Sequence, residues 1–323
     1  MNYKIVKYHP DYYSIWNEFV QNSGQATFLH HRDYMDYHAE RFADFSLLIF
    51  KDEKLVALLP AHQIDKQVFS HKGLTYGGLL FYPNFRIAYK IEVYDALLNY
   101  LYIEGIEKLF VKSIPSFFTK EKDESHVYIF HHLQADFLEV KPFFVLETKR
   151  GMQLNKDRKK HLKKLQKHDF VLSDDLSHLA DYWQIVTNNL AQKHQTKPVH
   201  SLTEISRLIS AFPKQIKLHT LFLQGKMVSG ALLFLVNDTV HFQYIHSSTN
   251  ANSRQGVDWL IWQIVNQYIP DCQFVSFGSS AKGNNGLDTG LAYWKESFGA
   301  HIRNQFVYEI AVEKRHLLKD ILQ

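Results

Sequence analysis

Residues 218–247 read LHTLFLQGKMVSGALLFLVNDTVHFQYIHS, and this stretch decides the fold. Three runs rich in apolar residues, Leu218–Leu223, Met227–Val236 and Thr239–Ser247, are separated by the short polar segments Gln-Gly-Lys and Asn-Asp. Runs of this length between turn-forming residues predict strands that are joined by tight turns. The sequence therefore predicts an antiparallel three-stranded meander in this part of the chain.

A helix and a further strand follow the meander. Apolar residues at helical spacing between Val257 and Tyr268 predict a helix with one buried face, and Phe274–Phe277 predicts the strand. An earlier segment, Val93–Ser116, has the same length as Val257–Ser280 and the same order of helix, break, strand and serine-ended loop. Leu47–His62 precedes it with a strand–turn–strand pattern. The sequence thus predicts one unit twice, with two unrelated α/β units as the alternative.

Two lobes are predicted, at residues 1–150 and 151–323. The boundary is placed there because an apolar strand gives way to a basic run between Thr148 and Asn155. The predicted fold class is α/β, in which each lobe is a mixed, mainly antiparallel sheet flanked by helices. Within the second lobe, Ser201-Leu202-Thr203-Glu204 has the spacing of a capping box and predicts the start of a helix.

The composition excludes several classes of protein. The 323 residues are 46% hydrophobic and 22% charged, which is typical of a globular chain. The net charge is only +4, so charge alone indicates no polyanionic partner. Cys272 is the sole cysteine, which excludes an internal disulfide and favours a reducing compartment. No signal peptide and no membrane-spanning stretch is recognised, so we expect a soluble, cytoplasmic protein.

The duplicated order of elements resembles the tandem GNAT-fold architecture of the FemAB-type acyl- and aminoacyltransferases. Three stretches carry the resemblance: Phe277–Ser280, Lys159–Phe170 and Gly290–Gly299. The last contains an aromatic-Lys-x-x-Phe-Gly element similar to one near the C-termini of these enzymes. The resemblance implies an N-acyltransferase with its active cleft between the lobes. Its donor would be acyl-CoA, or alternatively aminoacyl-tRNA, and its acceptor an amine on a small molecule or a cell-envelope precursor.

The sequence departs from the family pattern at the donor loop. GNAT enzymes usually have two small residues in the loop that binds the pyrophosphate, whereas Asn252–Val257 contains a single glycine. The N–H groups at a helix start can still bind a phosphate, and an arginine there adds positive charge. The resulting candidate donor-binding residues are Arg254, Gln255 and Gly256. The basic stretch departs as well, with Leu165 and Asp169 where the family has a small residue and a glycine.

Three residues are candidates for the chemistry, which we expect where neighbouring strands of the second lobe separate. The resemblance implies that Lys295 lies near the acyl group, where its charge stabilises an oxyanion; the alternative is a solvated lysine on a helix. Strand alternation places Tyr244 and His246 on one face, so His246 is a candidate base with Tyr244 beside it. The alternative is that these two residues are only the polar face of a half-buried strand.

Two glycine-rich segments supply candidate substrate-binding residues. Residues 278–290 contain four glycines, with Ser279 and Lys282, and such a loop can bind a phosphate through its N–H groups. It is not a P-loop, because Asn284 stands where lysine is required. The other segment places Tyr76 before Gly77-Gly78, where the backbone approaches a ligand or simply turns. A mobile loop and a tight turn are the respective alternatives.

The basic run that opens the second lobe is the strongest charge feature of the sequence. It contains Asp157 and seven cations, and only a thin apolar stripe accompanies them. The functional interpretation is an anionic substrate: a phosphorylated sugar precursor, an acidic lipid headgroup or tRNA. The alternative is a solvated helix face, and the helix itself has no interleaved aromatic residues. From this run, Lys159 and Lys163 are taken as substrate-binding candidates.

The remaining motifs narrow the class of function. No His-Glu-x-x-His motif and no cysteine pair accompany the 19 histidines, so we expect no metal site. Ser279–Lys282 has Ser-x-x-Lys spacing but lacks the partner motifs of a serine acyl-enzyme. The sequence predicts an N-acyltransferase. The alternative is a non-catalytic binding module with a degenerate acyltransferase fold that holds an anionic partner.

Overall fold

The computed structural model describes residues 3–248, 253–283 and 286–321, without the side chains of residues 38, 193, 194 and 253–255. The chain divides into two compact units. The first contains Met1–Lys141 and Asn304–Gln323, and the second is Pro142–Arg303. These bounds differ from the predicted division between residues 150 and 151. The boundary falls inside a continuous strand, Asp136–Glu147, and the C-terminal segment returns to the first unit.

The first unit begins with strand β1 and contains two groups of hydrogen-bonded strands. One is a four-stranded sheet in the order β1-β2-β3-β6, and the other has the order β4-β5-β7-β16. The strands are β1 (Tyr3–Lys7), β2 (Leu47–Lys51), β3 (Lys54–Leu59), β4 (His62–Ile64), β5 (Gln67–Phe69), β6 (Leu80–Phe81), β7 (Lys108–Lys112) and β16 (His301–Ala311, which begins in the second unit). The helices are α1 (Tyr13–Asn22), α2 (Arg32–Met35), α3 (Ile87–Ile103) and α4 (Ser125–His132).

The second unit contains a sheet in the order β8-β13-β12-β11-β10-β9. Its strands are β8 (Asp136–Glu147, which begins in the first unit), β9 (Phe170–Ser173), β10 (Ile216–Leu223), β11 (Lys226–Val236), β12 (Thr239–Ser247) and β13 (Phe274–Ser279). A small hairpin follows, β14 (Ala281–Lys282) and β15 (Gly286–Leu287). The helices are α5 (Lys156–Leu165), α6 (Leu179–His194), α7 (Leu202–Ala211), α8 (Ser253–Tyr268) and α9 (Thr289–Glu296).

The predicted meander is confirmed in the second unit. Strands β10, β11 and β12 pair antiparallel in sequence order, and β13 adds a parallel strand after α8. Helices cover both faces of this sheet. Ala231 and Leu233 point into the apolar cluster that α8 shares, whereas a Cβ on Gly230 would lie 2.4 Å from the ring of Tyr182 on α6. A side chain at position 230 would therefore push α6 away from the sheet.

A β-bulge interrupts the pairing of β11 with β12. Leu232 pairs with Tyr244, but the next residue, Leu233, pairs with Phe242, so Gln243 is the extra residue on β12. A bulge reverses the alternation of side chains on one side of it. His241 therefore lies on the same face as Tyr244, whereas strict alternation would have placed the two on opposite faces.

The first unit repeats the order of helix and strand that the sequence predicts. Helix α3 is followed by β7, as α8 is followed by β13, and both strands pair parallel with an earlier neighbour. The predicted hairpin of β2 and β3 is antiparallel. Leu97, Leu101 and Leu109 are fully buried in the unit's apolar cluster. The two-lobed α/β fold, with mixed sheets flanked by helices, is confirmed.

Other local predictions concern helix ends and the membrane. The capping box at Ser201 is formed, because its Oγ accepts from the N–H of Glu204 and the Glu204 carboxylate accepts from the Ser201 N–H. Within the described residues no helix has the length and apolar character needed to cross a bilayer.

Candidate active site

The sheet of the second unit opens between β12 and β13. Their parallel pairing ends at His241 and Ser276, although β12 continues to Ser247 and β13 to Ser279. On its other edge β13 remains paired with β8, at Ser279 and Phe143. Along such an opening the N–H and C=O groups of the two strands do not hydrogen-bond to each other and can bind a ligand instead. The second unit thus contains an opening between neighbouring strands, and the location of the chemistry at this opening stays a prediction.

Lys295 lies on α9, and its side chain reaches the end of β13. The residue is 3% exposed, and its Nζ donates to the carbonyl oxygens of Gly278 (3.1 Å) and Ser279 (2.7 Å). Gly278 has a φ of 73°, a conformation that glycine adopts without steric cost. The alternative of a solvated helical lysine is wrong, because the side chain is buried. A charged ammonium has three N–H donors, so the two carbonyls leave one N–H for a further acceptor.

The surroundings of Lys295 change its protonation and that of a neighbouring histidine. Burial lowers the pKa of Lys295 to about 7, against the opposing charge of Asp288. The Nζ lies 5.4 Å from the ring centroid of Phe144. Burial, and then the charge of Lys295, lower the pKa of His241 to about 4. His241 is therefore neutral at pH 7, and its Nδ1 lies 3.1 Å from the Ser276 Oγ. Lys295 changes between its charged and its neutral form near pH 7.

The depressed pKa of Lys295 predicts a specific dependence of stability on pH. The pKa of Lys295 is about 7 in the folded protein, against an ordinary value of 10.5. Below pH 7 the folded protein therefore bears the whole free-energy cost of burying the charged ammonium, and this cost decreases as the pH rises from 7 toward 10.5. We expect the free energy of unfolding of the wild type to rise by about 2 kcal/mol more than that of Lys295→Met between about pH 7 and pH 9.

Denaturant unfolding of both proteins at several pH values in that range measures this difference. Taking the difference between the two proteins removes the contributions of Cys272 and of the other titrating groups that are common to both. Parallel curves of unfolding free energy against pH would show that the Lys295 pKa is not depressed.

The predicted aromatic-Lys-x-x-Phe-Gly element is held against α5 and α8 by Asp258. Trp294 Nε1 donates to Asp258 Oδ1 (2.8 Å), and the guanidinium of Arg158 forms an ion pair with Asp258 Oδ2. His161 Nε2 lies 3.2 Å from the same oxygen. The guanidinium carbon of Arg158 also lies 4.6 Å from the ring centroid of Phe298. One buried carboxylate thus connects three helices, and it holds the residue before Lys295.

The glycine that ends this element has a steric reason to be glycine. Gly299 has a φ of 91°, and a Cβ built on it would lie 2.6 Å from the backbone nitrogen of Gln153. Any side chain would therefore combine an unfavourable backbone conformation with a clash against backbone. The close approach brings the chain before α5 against the end of α9.

Tyr244 and His246 lie on β12, beyond the end of its pairing with β13. Tyr244 is buried, and its hydroxyl lies 2.8 Å from His200 Nδ1. Its ring packs edge-on against Trp183 on α6. His246 is half-buried and shares the face of Tyr244, because the partners Leu232 and Gly230 alternate regularly. The prediction that the two residues share a face is confirmed, and their catalytic role stays a prediction.

The predicted donor-binding residues lie at the start of α8. The side chains of Arg254 and Gln255 lie outside the described residues, as do residues 249–252 of the loop before them. Gly256 is buried, and a Cβ there would lie 3.1 Å from the Val228 side chain and 3.4 Å from that of Leu221. The glycine lets the first turn of α8 lie close to the β10–β11 hairpin.

The predicted substrate-binding residues are found in different surroundings. Ser279 is half-buried beside Lys295, and its Oγ accepts from the Ala281 N–H (3.0 Å). Lys282 is exposed on the β14–β15 hairpin, so part of the predicted loop is ordered as strand. In the first unit Tyr76 is 1% exposed, and its hydroxyl donates to Thr27 Oγ1 (3.1 Å). The structure therefore brings Ser279 to Lys295, and it places Tyr76 within packed core.

The glycine pair after Tyr76 makes a close backbone contact. A Cβ on Gly77 would lie 2.1 Å from the carbonyl oxygen of Ser70, and the Gly77 N–H donates to the carbonyl of Lys112. The backbone of Ser70 fills the space in front of Gly77, so this position has no room for a side chain, and the binding of a ligand beside Tyr76 stays a prediction.

The basic run forms α5 and the two residues that follow it, and the two sides of the helix differ. Leu162 and Leu165 are buried and Arg158 is half-buried. The lysines all point to solvent, and within the described residues none has a carboxylate within ion-pair distance: Lys156, Lys159, Lys160, Lys163, Lys164 and Lys167. Arg158 therefore has a structural role, whereas the six exposed lysines are available to bind a ligand.

Sequence reasoning missed His241 and His200. Neither could be found by alternation, because the bulge at Gln243 changes the face of His241 and because His200 comes from the loop before α7. In the parts of the chain that the structure describes, no group of three or more His, Cys, Asp or Glu side chains is placed to hold a metal ion.

Comparison with known proteins finds a family model that matches part of the second unit. Residues 153–285 match the family model described as an acetyltransferase (GNAT) domain. That range contains the meander, α8, β13 and the opening between β12 and β13. No curated protein matches the chain by sequence.

Solved structures match almost the whole chain. A crystal structure of FemX has a TM-score of 0.67 at 8% identity, and the match covers 99% of this chain and 100% of that one. The C-terminal domain of a lysylphosphatidylglycerol synthetase from Agrobacterium fabrum has a TM-score of 0.60 at 10% identity, with 97% and 96% covered. A tandem GNAT protein from the clavulanic acid biosynthesis pathway scores 0.52 at 10% identity, with 96% and 99% covered. The fold of the chain is the tandem GNAT fold.

Proposed function

We propose that this chain, an acyltransferase of the FemAB-like GNAT group, transfers an acyl or aminoacyl group to an amine acceptor, with the reacting carbonyl at the opening between β12 and β13. The observation that carries the proposal is the placement of Lys295. A buried ammonium with one N–H to spare lies at the end of β13, beside the point where the two strands separate. The family match over residues 153–285 independently supports acyl transfer by this unit.

The proposed step requires one bond to form and one to break. The neutral amine nitrogen attacks the donor carbonyl carbon, and the bond from that carbon to the leaving sulfur or oxygen breaks. The oxyanion that develops accepts a hydrogen bond from the remaining N–H of Lys295, which is strengthened by the low dielectric around it. His246 takes the amine proton, which then passes to the leaving group. The products are the amide and the free thiol or hydroxyl of the donor, and the enzyme is unchanged.

Two donors fit this chemistry, and different observations support each. Acyl-CoA is supported by the GNAT family match and by the start of α8, where Gly256 allows close packing of the first helical turn. Aminoacyl-tRNA is supported by the fold shared with FemX and lysylphosphatidylglycerol synthetase, and by the six exposed lysines in and directly after α5. The same fold similarity supports an acceptor among cell-envelope precursors.

The donor can be identified by ligand binding and then by transfer. A ligand that binds only the native state raises the melting temperature, so acetyl-CoA and a charged tRNA should be compared with free CoA and deacylated tRNA. We expect one of the two donors to stabilise the protein and to support transfer to a panel of primary amines. Transfer from acetyl-CoA is measured as release of the free thiol of CoA. Transfer from the charged tRNA is measured as loss of the labelled amino acid from that tRNA.

Arg254→Ala separates the two outcomes. If acyl-CoA is bound at the start of α8, this variant loses the shift in melting temperature, whereas a response to charged tRNA that survives it favours the other donor. A protein that responds to neither donor and transfers neither group would contradict the proposed function.

A further inference from the structure

Lys295 and Lys90 are both almost fully buried, but their amines have different partners. Lys90, on α3, is 4% exposed, and its Nζ donates to the carboxylate of Asp123 (2.8 Å). Lys295 is 3% exposed, and both acceptors of its Nζ are backbone carbonyls, those of Gly278 and Ser279. A carboxylate favours the charged form of a lysine, whereas a carbonyl accepts a hydrogen bond from the charged and the neutral amine alike. The surroundings of Lys295 therefore accommodate both forms.

The two forms differ at the one position of Nζ that the carbonyls do not use. The nitrogen is tetrahedral: one position is the bond to Cε, and two N–H groups donate to Gly278 and Ser279. The fourth position carries an N–H in the ammonium and a lone pair in the neutral amine. The same position is thus a hydrogen-bond donor in one form and a nucleophile in the other.

The groups that face this amine come from three strands and from its own helix. Burial lowers the pKa of Lys295 to about 7, and the charge of Asp288, directly before α9, opposes this shift. His241 of β12 is neutral at pH 7, because its own pKa is about 4. From β8 the amine meets the ring of Phe144, and from β13 it meets backbone carbonyls. About half of the molecules therefore carry the neutral amine at pH 7.

The amine lies next to the point where β12 and β13 separate. Gly278 and Ser279, whose carbonyls it binds, are half-buried and follow Ser276, the last residue of β13 that pairs with β12. The ring of His241, the last residue of β12 in that pairing, is 3.7 Å from the position that a Cβ on Gly278 would take. The Nζ of Lys295 is thus held just beneath the surface at the edge of the opening.

We propose that the enzyme acylates Lys295 with its own donor when no acceptor amine is bound. The inference rests on the proposed function, which puts the donor carbonyl at this opening. The neutral Nζ attacks the carbonyl carbon, the bond from that carbon to the leaving sulfur or oxygen breaks, and one proton of the nitrogen passes to the leaving group. A nucleophile held beside a carbonyl reacts as if it were at very high concentration. The acyl-lysine therefore forms unless an acceptor reacts first.

Acylation removes what Lys295 supplies to the transfer reaction. An amide nitrogen has one N–H and no charge, so one hydrogen bond to the two carbonyls is lost and no N–H remains for an oxyanion. The attached acyl group also fills the place of the reacting carbonyl. The modified enzyme is inactive, so the supply of acceptor determines how much of the enzyme stays active.

The reactivity of the amine can be measured without the natural donor. Para-nitrophenyl acetate acetylates neutral amines, and peptide mass spectrometry gives the rate at each lysine. We expect the rate at Lys295 to rise about 10-fold from pH 5 to pH 6 but only about 2-fold from pH 7 to pH 9. The reference compound Nα-acetyl-lysine amide should gain about 100-fold over the upper range. Lys90, which is equally buried but bound to a carboxylate, should not react.

The natural donors test the placement of the amine. Wild-type protein incubated with acetyl-CoA or a charged tRNA, without acceptor, should gain one acyl group at Lys295 and lose its transfer activity in parallel. An excess of an amine that supports transfer should slow both changes. Lys112 is the matched control, because burial, and then the charge of Lys141, lower its pKa to about 8, and it lies in the first unit. It should react with para-nitrophenyl acetate and with neither donor.

Lys295→Arg tests whether the lone pair is responsible. Arginine keeps the positive charge and the N–H donors but stays protonated, so it has no lone pair that attacks a carbonyl. Whatever transfer activity this variant has should stay constant during incubation with the donor, whereas the activity of the wild type declines.

Three results would overturn the inference. The first is a protein that transfers to an acceptor while Lys295 stays unmodified in the absence of one. The second is acylation of Lys112 by the donor to the same extent as Lys295, which would indicate non-specific reaction. The third is a protein whose Lys295 reacts with para-nitrophenyl acetate but which neither transfers nor acylates itself with either donor. In that case the proposed function fails, and the inference fails with it.

Discussion

Lys295→Met is expected to fold, to retain its donor and to transfer acyl groups about 10²–10³ times more slowly than the wild type. Methionine keeps most of the aliphatic stem of lysine, so the packing between α9 and the end of β13 should survive. The variant loses the hydrogen bonds to the carbonyls of Gly278 and Ser279 and the remaining N–H for the oxyanion. It also removes a buried charge, which is why the loss of two hydrogen bonds should not unfold the protein.

The design separates a chemical role from a structural one. Rate and melting temperature are measured on the same preparations, with Lys214→Met as the matched control, because that lysine is exposed between α7 and β10. We expect the control to keep both the kcat and the KM of the wild type. A Lys295→Met protein with full turnover would contradict the proposed role. One that melts far below the wild type would show that Lys295 mainly stabilises the fold.

Much of the architecture follows from local sequence patterns. The meander of residues 218–247, the helix after it and the capping box at Ser201 are determined by short-range spacing, and the structure confirms them. Local patterns could not show that Asn304–Gln323 joins the first unit, because that packing depends on contacts with residues some 200 positions away. The predicted division between residues 150 and 151 marks the change in composition and not the change in packing.

The site shows the same limit at the level of single residues. Lys295 could be selected from a short motif, but its burial depends on the contact of its side chain with the end of β13, which no pattern within α9 reveals. His241 could not be selected, because one extra residue on β12 moves it to the face of Tyr244. The lysines of α5 were visible as a charged run.

Asp258 explains why the segment around Lys295 is held in place, and its removal should have the second large effect. Its carboxylate contacts Arg158, His161 and Trp294, and both Asp258 and Arg158 have side chains that are only 11% exposed. Removing one partner of a buried ion pair leaves the other desolvated and unpaired, which typically costs several kcal/mol. We expect Asp258→Ala to lower the free energy of unfolding by about 3 kcal/mol.

Asp258→Asn should cost less than Asp258→Ala, because an amide oxygen still accepts from the Trp294 indole while the charge opposite Arg158 is lost. Asp271→Ala is the control: this carboxylate is exposed just after α8, and its loss should change the free energy of unfolding by about 0.5 kcal/mol or less. Denaturant unfolding ranks the three variants, and transfer rates measured below their melting temperatures show whether Lys295 is still in place. If the alanine variant unfolds no more easily than the Asp271→Ala control, the carboxylate does not hold α5, α8 and α9 together. If it is destabilised but keeps its transfer rate, the contact to Trp294 stabilises the fold without positioning Lys295.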